Sequence, residues 1–122
     1  MHSILVVDDS ATMRRMVIAS LRALADTQFN QASTGLEAIE RLALAPVDLI
    51  ILDLNMPDMH GIEVLQFIRS HERYQAIPVI ILTTRGDDDS RAVAFANGAS
   101  QYLTKPFTPQ SLATHVAMLL DG

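Results

Sequence analysis

The stretch VDLIILDLNMPDMHG, residues 47–61, decides the fold. Residues 49–52 are Leu, Ile, Ile and Leu, an unbroken apolar run of strand length with no polar alternation. That pattern predicts a strand buried on both faces, as in the middle of a parallel sheet. Asp53 follows at once. An ionised carboxylate is costly in an apolar core, a cost Asp53 would escape by ending the strand against a crevice rather than in the core. Met56-Pro57 shapes the loop beside it, and Gly61 is expected to permit a tight turn into a helix whose apolar positions are Ile62, Leu65 and Ile68.

The same strand-then-helix unit recurs outward in both directions. Residues 4–7 are all aliphatic and read as a second fully buried strand. Met13, Met16, Val17, Leu21 and Leu24 then recur at helical spacing as a candidate core face, with Arg14, Arg15 and Arg22 between them as the solvent face. A weaker strand is expected over 28–32. The capping-box pattern TGLE, 34–37, starts a helix with Leu36, Ile39 and Leu42 on one face, and Pro46 lies just past its end. Residues 79–82 form a fourth strand, followed by a helix running to about Asn97-Gly98. A short strand over 101–103 precedes a last helix, with Thr108 as cap and Pro109 as first helical residue. Strands joined through helices are parallel, and a parallel sheet needs helices on both faces. The expected architecture is α/β, a five-stranded parallel (βα)5 sheet with helices on both faces, forming a single domain over residues 1–122.

Composition narrows the function. The chain has 122 residues, of which 49% are hydrophobic, enough for a sizeable core and too many for disorder. The formal net charge of −5 argues against a surface that binds nucleic acid through phosphate contacts. With no cysteine, disulfides and thiolate metal sites are impossible, which fits a cytoplasmic protein. No basic-then-apolar leader and no membrane-length apolar run is visible, so the expectation is a soluble, unexported protein with no membrane partner.

Ligands of open parallel sheets bind beyond the carboxyl ends of the strands. Here those ends carry Asp8-Asp9, Asp53, Thr83-Thr84 and, after the last strand, Lys105. With the first and third strands adjacent, the carboxylates would converge. Two of them about 4 Å apart repel by roughly 4 kcal/mol at an effective dielectric of about 20, so either protons or a cation must join them. A hard cation with oxygen ligands suits the set, and Mg²⁺ suits few carboxylates beside a phosphate.

Each residue also has a plainer reading. Asp8 and Asp9 could cap the first helix with Ser10, Asp53 could be a loop residue, the threonines ordinary strand ends, and Lys105 a solvated side chain. What weighs against these readings is that all four strand ends fall where the topology places ligands. Asp87, Asp88 and Asp89 are expected to serve the N-terminus of the helix they precede rather than a second metal. His2, His60, His71 and His115 show no metal-ligand spacing. Met13 and Met16 are read as core rather than as a partner groove.

The segments ILVVDDS (4–10), LDLNMPDMHGIEVL (52–65), VIILTT (79–84) and GASQYLTKPF (98–107), in that order and spacing, resemble the receiver domain of two-component response regulators in its single-domain, CheY-like form. The resemblance covers essentially the whole chain. It implies that Asp53 accepts a phosphoryl group from a histidine kinase, and that Asp8, Asp9, Asp53 and the backbone carbonyl of Asn55 hold Mg²⁺. It further implies that Thr83 and Lys105 meet phosphoryl oxygens and that Tyr102 moves with Thr83. It implies a cis Lys105–Pro106 bond and a downstream protein docking on the face formed by the fourth helix, fifth strand and fifth helix, with chemotaxis the preferred pathway. The only chemistry catalysed would be the protein's own phosphorylation and dephosphorylation. Thr84 departs from the small residue common at its position, and its bulk would narrow access to the site. Asn55 and Arg85 fall where the family varies and where the lifetime of the acyl phosphate is tuned. Other readings stand beside this one: a receiver-like interaction domain that is never phosphorylated, a receiver cut from a hybrid kinase or DNA-binding regulator, and a Mg²⁺-dependent phosphohydrolase. The last usually has Asp-x-Asp at its strand end, where this chain has Asn55.

Overall fold

The computed structural model describes residues 1–121. Ten elements alternate: β1 (His2–Val7), α1 (Ala11–Leu21), β2 (Thr27–Ala32), α2 (Gly35–Leu44), β3 (Leu49–Leu52), α3 (Gly61–Ser70), β4 (Val79–Thr83), α4 (Asp88–Ala96), β5 (Gln101–Thr104) and α5 (Pro109–Asp121). The strands form one parallel sheet in the order β2-β1-β3-β4-β5. The expected fold class is therefore the observed one, with β1 and β3 adjacent.

Strand side chains alternate between two cores. Leu5, Val7, Ile50, Leu52 and Ile81 pack with α2, α3 and α4. Ile4, Val6, Leu49, Ile51 and Ile80 pack with Val17, Ile18 and Leu21 of α1 and with Leu112 and Val116 of α5. Covering both faces explains why β1, β3 and β4 carry almost no polar residues. β1 starts two residues before its aliphatic run because His2 and Ser3 pair with Thr27 and Gln28 of the edge strand; backbone pairing, not hydrophobicity, extends it.

Helix starts follow the capping logic. Ser10, Thr34 and Asp87 accept N–H bonds from Met13, Glu37 and Ser90, and the hydroxyl of Thr108 accepts one from Ser111. Asp87 thus caps α4, with Asp88 and Asp89 in its first turn. The α4 end is closed by Gly98, whose φ of +100° suits glycine.

Two apolar positions differ from expectation. Met16 is 50% exposed and Leu36 57% exposed. On α1 the buried residues are Val17, Ile18 and Leu21, and Met16 points away from the face they share. On α2 the buried face is Gly35, Ala38 and Leu42, and Leu36 lies off it. Leu24 lies just beyond α1 yet still packs against the core.

Candidate functional site

The carboxyl ends of β1 and β3 lie side by side because Val7 is in register with Leu52. Asp8 and Asp53 each follow directly, so the same register brings them together. Asp8, Asp9 and Asp53 can place one carboxylate oxygen each within 4.8 Å of one another, with Asp8 and Asp53 buried and Asp9 exposed. Clustered carboxylate oxygens are the donor set a hard divalent cation prefers, so the residues present fit Mg²⁺.

Lys105 enters this cluster from the end of β5. Its ammonium donates to Asp8 Oδ2 at 2.7 Å and to Asp53 Oδ2 at 3.2 Å, and its backbone N–H donates to the Thr83 carbonyl at 2.8 Å. Burial works against the Lys105 charge, but the hydrogen bond from its ammonium to Asp8 and the charge of Asp53 outweigh it and raise its pKa above the usual lysine value. Lys105 is not a solvated surface lysine. The Lys105–Pro106 bond is cis, as the resemblance implied.

Asp8 is bound on every side. Its Oδ1 accepts the Ser10 N–H at 2.9 Å, its own N–H donates to the Ala32 carbonyl at 3.1 Å, and its carbonyl accepts from Arg14 Nη1 at 2.6 Å. Arg14 is in turn oriented by a 2.9 Å bond from Nε to Gln31 Oε1. Asp8 thus helps turn the chain toward α1, whose cap is Ser10, while its carboxylate faces the cluster. Arg14 was expected in solvent with Arg15, and the structure corrects this. The sequence did carry a signal, since Arg14 precedes Val17, Ile18 and Leu21 by three, four and seven residues, which is their own helical face.

Asp53 is held by its backbone N–H to the Val7 carbonyl at 3.0 Å, and its Oδ1 accepts from the Asn55 N–H at 3.3 Å. Gly61 closes over it. A Cβ at Gly61 would overlap the Asp53 carbonyl oxygen and lie 2.7 Å from Leu54 Cα. Gly61 is therefore required by close approach of two backbones rather than by turn geometry. Asp58 accepts the Gly35 and Leu36 N–H groups at 3.0 Å each, tying the loop after β3 to the start of α2. Those bonds hold its carboxyl below the usual aspartate range.

Thr83 ends β4 fully buried, and its Oγ1 accepts the Arg85 N–H at 3.4 Å. Thr84 beside it is exposed. Tyr102 on β5 is buried, and its hydroxyl donates to the Arg85 carbonyl at 2.5 Å. Burial and the charge of Asp87 push the Tyr102 phenol up, so it stays a donor across neutral pH. Asn55 lies exposed on the loop after Asp53. The histidines have local duties: His60 Nδ1 accepts from Ile62 at the start of α3, His71 stacks on Tyr74 with ring centroids 4.3 Å apart, and His115 bonds the Ser111 carbonyl.

The model of the response regulator receiver domain matches residues 4–117. The chain is 40% identical over 118 residues to the chemotaxis protein CheY1 of Helicobacter pylori, covering 96% of this chain and 95% of that one. It is 36% identical to the chemotaxis protein CheY of Pseudomonas aeruginosa, covering 97% and 95%. Among solved structures, the chemotaxis protein CheY4 of Vibrio cholerae matches with a TM-score of 0.90 at 35% identity, over 98% of this chain and 99% of that one. A putative response regulator from Chloroflexus aurantiacus matches with a TM-score of 0.93 at 32% identity, over 99% and 98%.

Proposed function

The chain belongs to the response regulator receiver family, and from that membership we propose that Asp53 is the residue that takes the phosphoryl group from a histidine kinase. A receiver is a signalling protein rather than a conventional enzyme. The observation that carries the assignment is the meeting of Asp8, Asp9 and Asp53 within 4.8 Å, with the Lys105 ammonium on two of the three.

In the proposed transfer, one Asp53 oxygen attacks phosphorus as the phosphorus–nitrogen bond to the donor histidine breaks. The ring nitrogen leaves with the electron pair, and Asp53 becomes an acyl phosphate. Such transfers need alignment and charge stabilisation above all. Lys105 is already placed by its bonds to Asp8 and Asp53 and turns to an incoming phosphoryl oxygen. Thr83 ends the neighbouring strand with a hydroxyl that can donate to another. Asp8, Asp9, Asp53 and the Asn55 carbonyl would hold Mg²⁺, which supplies positive charge against the phosphoryl oxygens.

The readout is a change at Tyr102 and the face made by α4, β5 and α5, where Val93, Phe95 and Met118 expose apolar side chains. A downstream protein docks there. The named relatives are chemotaxis proteins, and chemotaxis is the pathway proposed for this chain. The same cluster serves loss of the phosphoryl group to water. No helix among the described residues is long and apolar enough to cross a membrane.

The test is labelling with acetyl phosphate in Mg²⁺, followed by mass spectrometry. The parent is expected to gain one phosphoryl group and Asp53→Asn none. Labelling retained in Asp53→Asn would sink the assignment, and an unlabelled parent would favour an interaction domain that works without phosphorylation.

A further inference from the structure

Tyr102 has supports that involve neither Asp53, Thr83 nor Lys105. Arg91 and Phe95 stand one turn apart on the same face of α4. The Arg91 guanidinium carbon lies 5.5 Å from the centroid of the Tyr102 ring and 5.6 Å from that of Phe95. The two rings are themselves 6.4 Å apart and inclined at 40°. Each distance falls within the range over which a guanidinium and a ring, or two rings, attract. Among the described residues no carboxylate forms an ion pair with Arg91, so no short salt bridge draws its guanidinium away from these rings.

The rest of α4 does little to compete. Ala94 is its one buried residue, and Phe95 stays 41% exposed while leaning on Tyr102. The hydroxyl of Tyr102, bonded to the Arg85 carbonyl, fixes the other end of the ring. The tyrosine is thus pinned at its hydroxyl by the β4–α4 loop and over its ring by α4.

We propose that Arg91, together with Phe95, is a positioning residue that holds Tyr102 inward and so presets the α4–β5–α5 face toward its partner-binding arrangement. The proposal rests on the reading that phosphorylation draws Tyr102 inward, toward the space Thr83 leaves, and that the partner senses this position. Because the clamp lies outside the phosphorylation cluster, it acts before any phosphoryl group arrives. Arg91 is itself an exposed residue, and a solvent-exposed guanidinium over a ring is expected to favour the clamped arrangement roughly two- to fivefold. Phosphorylation then starts from a face that is partly set, which narrows the contrast between resting and signalling states.

The test uses the whole chain carrying 3-fluorotyrosine, read by ¹⁹F NMR. Its two tyrosines are told apart by a Tyr102→Phe sample, and Tyr74 serves as internal reference. In unphosphorylated protein, Arg91→Gln is expected to raise the ratio of outward to inward Tyr102 about two- to fivefold. Arg91→Lys should recover part of the loss, and Phe95→Leu, which keeps apolar cover without a ring, should reproduce it. Arg91 is exposed, and a far-UV spectrum like the parent's confirms that the variant is folded. An unchanged or lower ratio in folded Arg91→Gln overturns the clamp, as does full retention of the parent ratio in Phe95→Leu. Acetyl phosphate labelling of Asp53, run in parallel, separates the two ideas. A parent that is never labelled but whose Tyr102 responds to Arg91→Gln refutes the phosphoryl-acceptor reading and leaves the clamp standing.

Discussion

The ammonium of Lys105 lies 2.7 Å from Asp8 Oδ2, although the two residues are 97 positions apart in the chain. One cation thereby answers a cluster of three carboxylates. Removing one partner of a buried ion pair leaves the other charge uncompensated, at a cost of about 3 kcal/mol. Lys105→Met is expected to lower stability by about that much in a chelator and to bind Mg²⁺ more tightly than the parent. Thermal unfolding with and without MgCl₂ checks both. In the parent the Lys105 pKa is raised in the folded state. Its contribution is therefore fully present below the unfolded value of about 10.4 and is lost as pH climbs through the folded value. The stability gap between parent and Lys105→Met should stay level near neutrality and close only in strong alkali.

Asp53 contributes to the same cluster as an anion, so its replacement should change the response to metal. A ligand at 100 times its dissociation constant stabilises a fold by about 2.7 kcal/mol. Saturating Mg²⁺ is expected to raise the melting temperature of the parent clearly and that of Asp53→Asn much less. Scanning calorimetry at stepped MgCl₂ gives the comparison, and equal shifts in both proteins would place the metal elsewhere.

Gly61 offers a steric test. Its missing Cβ leaves room for the Asp53 carbonyl and Leu54 Cα. Gly61→Ala forces the start of α3 away from β3, and overpacking of this kind costs about 1–3 kcal/mol. Denaturant unfolding should show that loss, and slowed labelling of Asp53 should accompany it because that carbonyl belongs to the residue proposed as acceptor. A variant as stable as the parent would show that α3 can shift without cost.

Asp58 makes a pH-dependent clasp between the loop after β3 and the start of α2. Its folded pKa is depressed by the Leu36 and Gly35 N–H groups. A depressed carboxyl stabilises the fold above its unfolded pKa of about 3.9, and the effect fades as pH falls through the lower folded value. Asp58→Ala is expected to melt below the parent at pH 7 and to converge on it in acid. A gap that persists at pH 2 would mean that the side chain acts by packing rather than by accepting these bonds.

Much of this was legible in one dimension. The aliphatic runs located β1, β3 and β4 because strands buried on both faces tolerate little else. Caps such as Thr34 and Thr108 were legible because a cap bonds only three residues ahead. The strand-end acids could be singled out because a topological rule says where ligands bind. Four side chains escaped. Asp58 serves a helix 22 and 23 residues back in the chain. Arg69 of α3 binds the carbonyls of Gly98, Gln75 and Ile77 and reaches Ser100. Arg14 grips the Asp8 carbonyl, and Arg91 covers Tyr102. All four are charged residues, which a periodicity argument assigns to solvent by default, and three of them spend that charge on backbone groups that carry no sequence signal.

The sequence by itself determined the alternation of strands and helices, the burial of the central strands and the identities of the acids and the lysine at the strand ends. Those properties depend on short-range periodicity and on the cost of burying charge, both of which act within a few residues. Only the tertiary structure decided that Lys105 would lie on Asp8 and Asp53, that Gly61 would be a matter of clearance, and that Arg91 would rest on Tyr102. Each depends on parallel register and on helices crossing a sheet, which bring together residues from distant parts of the chain at distances that no local pattern encodes.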